Sequence, residues 1–462
     1  MKTRLLFSIF MFTSMLSYSQ QWTYTNLTEP KCRMGAASLG TKAYFAGGDN
    51  FDFPLTLVEI YDVVEQTWSY GNLSVARSFP VGVSCGSKVF FAGGFTFNPN
   101  LVYDVVDIYD TISQEWTVQY LSEPRVFLSA VAQGGKVLFA GGLNIFTGEA
   151  TNVVDIYDIE TGEWDTAYLS QARGFMASAV LNDKAFFAGG YDFDAVSNAV
   201  DIYDFTNNIW TTAALLQARD HAGAVAVGDK ILIASGMSSP IDPNSASILI
   251  DVYDNSTGNW YWMYNFPHPR AFIDYAKTIG DKAYFVGGGN MDDAAGGWAS
   301  SSSFIDIYDN STGTWSVDLL THDLCNHSVA AVVTPQTGYL VVAGGASFQL
   351  DSLFSRVEIY GDLLSGTGEI PVGSQQSAVN SYPNPTTGSS QFTVRSSQEG
   401  HVTLKVYDIQ GRELAVLIDG NLPAGDQIVS FDMSGLPAGV YFYRLTTDDR
   451  RLTTETGKIV KL

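Results

Sequence analysis

Four of the five histidines stand in connecting segments beside acidic residues: His221 follows Asp220, His268 lies six residues before Asp274, and His322 and His327 flank Asp323. Imidazole is a common metal ligand and general base, so one sector built from these residues could bind a metal or move protons. No His-x-x-x-His spacing preforms such a site, and surface or capping roles stay open. Arginines recur as Arg33, Arg77, Arg125, Arg173, Arg219 and Arg270. Turned inward they could hold a carboxylate. Their periodicity fits better with a structural role, pairing with backbone carbonyls or acidic neighbours in each repeat. A third group sits in long polar segments. Phe51, Phe53, Phe97, Phe146, Tyr191, Phe193 and Trp298 could stack on sugar rings, with Asp52, Asp192, Asp194, Asp292 and Asp293 accepting hydroxyl hydrogen bonds or binding Ca²⁺. The alternative is that these loops merely pack on one another. Together the groups nominate Phe53, Asp192, Asp194, Trp298, His221, His268, His327, Arg173, Arg219 and Arg270 as ligand contacts. They assign no catalytic residue, metal or cofactor.

Such residues need a scaffold, and the chain repeats itself to build one. The word at Val106–Asp110, VDIYD, returns at Val154, Val200 and Ile305, with relatives at Val58, Ile250 and Val357, seven in all. Ahead of each stands an apolar run ending in a glycine pair, at Gly48, Gly94, Gly142, Gly190, Gly288 and Gly345, with Ser235–Gly236 in the fifth copy. Trp68, Trp116, Trp164, Trp210, Trp260 and Trp315 follow six of the tyrosines, and a further tryptophan, Trp22, precedes the first repeat. Each unit reads as four short strands separated by Gly, Asn and Asp turns, the pattern of a β-propeller blade that is apolar on both faces. In VDIYD, Val106 and Ile108 should face one neighbouring blade and Tyr109 the other. Trp22 would supply the outer strand of the last blade and close the ring. The loops between second and third strands and those between blades then share one face, the candidate binding face.

These words resemble the kelch-repeat family, which is marked by a double glycine, a tyrosine and a tryptophan at such spacings. The resemblance runs from Gln20 to about Leu364 and implies an all-β, seven-bladed propeller closed by an N-terminal strand, followed by a small C-terminal β-sandwich. Departures are Ser235 for a glycine, Gly361 for the aspartate after Tyr360, and Cys325 near the last arginine position. An arginine ring holding a carboxylate would resemble kelch-type sialate epimerases. Galactose-oxidase-like copper chemistry is rejected, because Cys85 adjoins a turn on the opposite face.

Residues 381–462 resemble the type A sorting domain of the type IX secretion system of Bacteroidota, through Pro383, Asn384, Pro385, Gly411, Gly439 and Lys458. A linker, 365–380, separates them from the propeller at 20–364. Residues 1–19 read as a signal peptide: Lys2 and Arg4, an apolar run from Leu5 to Leu16, then small residues. No later run is long enough for a transmembrane helix. The net charge of -23 over 462 residues excludes nucleic acid as a partner. The expected protein is secreted or held at the cell surface after passing the periplasm and the type IX machinery. Its loop-rich face would bind an extracellular glycan or protein. The alternative is a glycan-active enzyme, an isomerase, epimerase or lyase. Cys32 and Cys325 occupy equivalent positions in neighbouring blades and are a candidate disulfide.

Overall fold

Alternation of side chains along a strand lets one blade pack against both neighbours, and this protein uses it seven times. In the computed structural model the chain divides into two compact units, Met1–Gly366 and Thr367–Leu462. The structure describes residues 22–461 except 240–241, 243–244, 274–275, 293–296, 335–336, 348–351, 364–377, 383–385, 387, 397–399, 408–411, 424 and 448–452. The expected signal peptide, most of the linker, and Asp274, Asp293, Pro383, Asn384, Pro385 and Gly411 lie outside the described residues.

The first unit holds seven antiparallel sheets in a ring. Blade 1 is Gly35–Leu39, Lys42–Ala46, Leu57–Asp62 and Thr67–Asn72, and blades 2 to 5 repeat that order. In blade 6 the third strand, Gly297–Asp309, also carries Gly289–Asp292 as an additional partner. Blade 2 shows how the seams fill. Val106 and Ile108 join Leu128, Phe139 and Tyr157 of blade 3, while Tyr109 packs with Tyr44, Ile60 and Leu73 of blade 1. Seven such clusters, one per seam, make the core.

Blade 7 takes its outer strand from the other end of the unit. Trp22–Asn26 pairs antiparallel with Arg356–Leu363, setting Trp22 opposite Tyr360. Their rings are 5.0 Å apart, against 4.9 Å for Tyr61–Trp68 and 5.0 Å for Tyr203–Trp210 in ordinary blades. The seventh tryptophan thus occupies the same place as the other six. Closure also accounts for Gly361. In the other blades the aspartate after the tyrosine caps the turn to the fourth strand, as when Asp158 accepts the N–H groups of Glu160 and Thr161. Blade 7 has no such turn to cap.

The glycine pair is forced by contact. Gly47 and Gly48 have φ of 64° and 84°, and a Cβ on Gly48 would stand 2.3 Å from the Cys32 carbonyl oxygen. Ser235 breaks the pattern at φ 56° by making its side chain useful: its hydroxyl donates to the Arg270 carbonyl at 2.8 Å and accepts the Arg270 N–H at 2.9 Å.

The second unit contains two sheets. Ala378–Tyr382, Ser389–Ser396 and Gly425–Asp432 form one; Gly400–Tyr407, Glu413–Leu422, Gly439–Thr447 and Thr453–Lys461 form the other. Phe392 and Val394 of the first share a core with Leu404, Val406, Tyr441 and Ile459 of the second. Gly439 opens a strand, and the backbone of Lys458 pairs with Phe442.

Because Trp22 fills a seam position, Trp22→Ala should destabilise the propeller by about 3–5 kcal/mol, the range for truncating a large packed aromatic. Thermal melting checks this; an unchanged midpoint would show that the ring does not depend on the strand.

Candidate functional site

The site is organised by a charge inside each blade. The acidic residue of VDIYD faces the seam with the tyrosine, where a lone carboxylate would be costly. Asp107, Asp155, Asp201 and Asp251 are buried and meet Arg77 at 2.8 Å, Arg125 at 2.6 Å, Arg173 at 2.6 Å and Arg219 at 2.5 Å; Asp306 meets Arg270. The guanidinium groups also bind backbone carbonyls, as Arg173 binds those of Gln171, Phe187 and Gly189. Each carboxylate further accepts a loop N–H, from Ser74, Ser122, Ser170 or Leu216. The arginines therefore belong to the blades, and Arg173, Arg219 and Arg270 are committed to the protein's own carboxylates.

One member of the expected ring is misplaced. In blade 1 the partner of Glu59 is Lys31, at 2.5 Å, while Arg33 lies two residues further on. The signal was in the spacing: nine residues separate Trp68 from Arg77, and nine beyond Trp22 is Lys31. Blade 7 has Leu324 at this position, and Thr321 supplies its N–H and hydroxyl to Glu358 instead.

Two residues after each arginine the chain turns toward the axis. Arg33, Phe79, Phe127, Phe175, His221, Phe272 and Asn326 are equivalent, and all seven have φ between 48° and 59°. Such a conformation is uncommon for bulky side chains and has to be held by its surroundings. Backbone hydrogen bonds hold it: Arg33 N–H donates to the Asn326 carbonyl, Phe79 to Arg33, Phe175 to Phe127 and His221 to Phe175. The side chains form a collar. Phe79 meets Phe127 edge-on at 5.0 Å, Phe127 stacks on Phe175 at 3.9 Å, and His221 lies 4.0 Å from Phe175 and 4.1 Å from Phe272. The Arg33 guanidinium sits 5.8 Å from the Phe79 ring centroid.

Beneath the collar is a cavity of about 530 Å³, of the size that holds small ligands. Small inner-strand residues, among them Gly35, Gly82, Ala130 and Ala224, leave this space open. The collar lies on the expected face, because every blade-to-blade loop bridges the loop after its second strand, from Cys32 with Asp49 round to Cys325 with Ala346.

The histidines are not brought together. His221 is part of the collar and lies 3.3 Å from Asp220. His268 Nδ1 lies 2.7 Å from Asp306 and its ring stacks on Phe304. This contact has a structural cause: Pro267 stands where other blades have Ser74 or Ser170, has no N–H, and the imidazole replaces the missing bond. His327 is fully buried against Gly287 and Gly345, and burial pushes its pKa down to about 4. Phe53 is an exposed loop tip. Asp192 accepts the N–H groups of Asp194 and Ala195 and lines a second, open depression with Gln171 and Ser197. The Trp298 backbone pairs with Met291. Among the described residues no three His, Cys, Asp or Glu side chains group as a metal site.

Comparison with known proteins accords with this geometry. The Kelch motif matches residues 30–72 and 172–214, and the secretion system C-terminal sorting domain matches residues 380–461. The chain is a kelch-motif propeller with a secretion sorting tail. Its fold is similar to a solved structure described as "Structure of YjhT", with a TM-score of 0.50 and 16% identity, covering 63% of this chain and 99% of that one. No curated protein matches it. The sorting tail supports delivery of the kelch propeller out of the cell or to its surface through the type IX system. No helix among its described residues is long and apolar enough to cross a membrane.

Cys32 and Cys325 of the kelch propeller are free thiols, buried in one cluster with Ala346. Burial pushes both thiols up, Cys325 to about 12. We propose that thiol–disulfide exchange with an external disulfide met during export joins them, the external disulfide being reduced to two thiols by the two electrons and two protons released; peptide mapping without reduction should find the cross-linked pair, and two separately alkylated residues would discard the bond. His327 gives a second prediction. An unfolded histidine binds its proton near pH 6.5 and the folded one only near 4, so stability is present above that window and lost as the pH falls through it. The loss should reach about 3 kcal/mol. His327→Met, which installs the residue type of Met34 and Met176, should flatten the dependence of melting temperature on pH between about 6.5 and 4.

Proposed function

We propose that this protein is an exported carbohydrate-binding propeller whose ligand occupies the axis at the loop-rich face. The supporting observation is the aromatic collar over the axial cavity. Sugar rings present flat apolar C–H faces, and Phe127, Phe175 and His221 offer ring faces and edges in a row beside a concave space. A second row leads in from the rim, Phe95 to Phe97 at 4.7 Å and Phe97 to Phe146 at 6.2 Å, with Phe97 largely exposed. A long glycan would run from the rim to the axis along these rings. A protein partner would depend more on loop tips such as Phe53 than on a cavity. Catalysis has less support, because His221, His268 and His327 have separate settings and do not converge as an acid-base group. Residues 1–19 would direct the chain to the periplasm and the sorting domain would carry it across the outer membrane.

Exported protein, its N-terminus sequenced to check that it begins at Gln20, should bind defined structures on a glycan array. Phe127→Ala should weaken that binding about tenfold, as expected for loss of one stacking surface. Ile112→Ala, at an exposed turn residue, should leave it unchanged. A protein that binds no glycan, or binds equally well without Phe127, would refute the reading.

A further inference from the structure

The wall of the axial cavity contains a lysine where the other blades have small or aliphatic residues. Lys277 pairs with Tyr284 in the inner strand of blade 6. The equivalent residues are Ala37, Val83, Val131, Ala179, Val225 and Ala330. None of them brings a charge.

Lys277 lines the cavity and has no ion pair or hydrogen bond among the described residues. It is part-exposed to the cavity, yet the protein around it removes bulk water and lowers its pKa. Of the other charged groups of the lining, Arg33 meets the Asp49 carboxylate at 3.2 Å, and Asp220 lies 3.3 Å from the His221 imidazole, which balances it only when protonated. Among the described residues Lys277 is thus the cation of the lining that no carboxylate meets, in a protein with a net charge of -23. A buried charge without a partner is unfavourable, and an anion supplied by a ligand relieves that cost.

We infer that the cavity takes an acidic saccharide, of the uronate class, whose carboxylate meets the Lys277 amine while its ring lies against the aromatic collar. This rests on reading the cavity as a glycan site and adds the charge of the ligand. The collar supplies affinity for ring faces in general, and Lys277 selects the acidic ones. A charge-assisted hydrogen bond from a desolvated amine gives roughly 10- to 100-fold discrimination.

An array carrying matched acidic and neutral glycans tests the two readings separately. The strongest acidic hit and its carboxyl-reduced, neutral counterpart are then titrated calorimetrically. The acidic form should bind about 10- to 100-fold more tightly. Lys277→Met, of similar length but uncharged, should bring both forms to the neutral affinity, and Lys277→Arg should keep the preference. Melting temperatures establish that the variants are folded, and the comparison on unaltered protein stands even where a variant is not. Equal binding of both forms, or a preference that survives in Lys277→Met, would overturn the inference and leave the glycan site standing. Absence of all glycan binding would overturn both.

Discussion

The structure depends on the need to satisfy one buried carboxylate in the middle of every third strand, by a cation in blades 1 to 6 and by Thr321 in blade 7. Burial of Asp107, Asp155, Asp201, Asp251 and Asp306 between blades is tolerable only because a guanidinium and a loop N–H or imidazole reach each of them. Removing one partner from such a buried pair typically costs about 3–5 kcal/mol, although replacing the whole pair by apolar groups can be neutral. The value of the pair here is geometric. To reach the carboxylate the arginine must lie at a fixed point of the blade-to-blade loop, and its carbonyl then accepts an N–H from the glycine pair of the preceding blade, as that of Arg77 does from Gly48. Two residues later the chain arrives at the axis. The collar is therefore positioned by a charge pair in the blade behind it.

How much of this can be read from the sequence follows from what repeats. The four-stranded blades, the closure through Trp22 and the facing of Val106, Ile108 and Tyr109 all follow from periodic residues, since packing on both faces admits few side chains. Individual roles were harder to read. Arg33 matches the arginines in type but not in place, because periodicity alone does not distinguish residues two apart in a loop that connects two blades. His268 resembles a functional histidine in sequence; only the missing N–H of Pro267 explains its attachment to Asp306. The collar was illegible for a related reason. Its aromatics lie on short loops with positive φ, and nothing in a Phe at such a position announces that its side chain turns to the axis. Phe53 and Phe97 were visible as loop aromatics, while Phe127, Phe175 and Phe272 were passed over.

Closure of the ring gives the collar its rigidity. The Arg33 N–H donates to the Asn326 carbonyl and the Phe79 N–H to the Arg33 carbonyl, so the junction of the first and last blades is joined to the rest of the circle. A side chain in the left-handed region stores of order 1–3 kcal/mol. Seven around one axis persist only where the surrounding structure fixes them together. That suits binding, because rings held in advance lose little freedom when a ligand arrives.

Blade 6 departs from the repeat next to the axis. Trp260 and Arg270 are ten residues apart instead of nine, and Arg270 and Lys282 are twelve apart where Arg219 and Lys230 are eleven. The first insertion accompanies Asn265, at φ 87°, and the second falls just before Lys277. Periodic residues are under the same packing demand in every blade, so their identity says little about a ligand that meets the ring from one side. A site for an asymmetric ligand has to break the symmetry of the propeller. The lysine does so: it places a cation that meets no carboxylate among the described residues on one wall of the cavity, and a ligand that pairs with it is held in a single orientation about the axis.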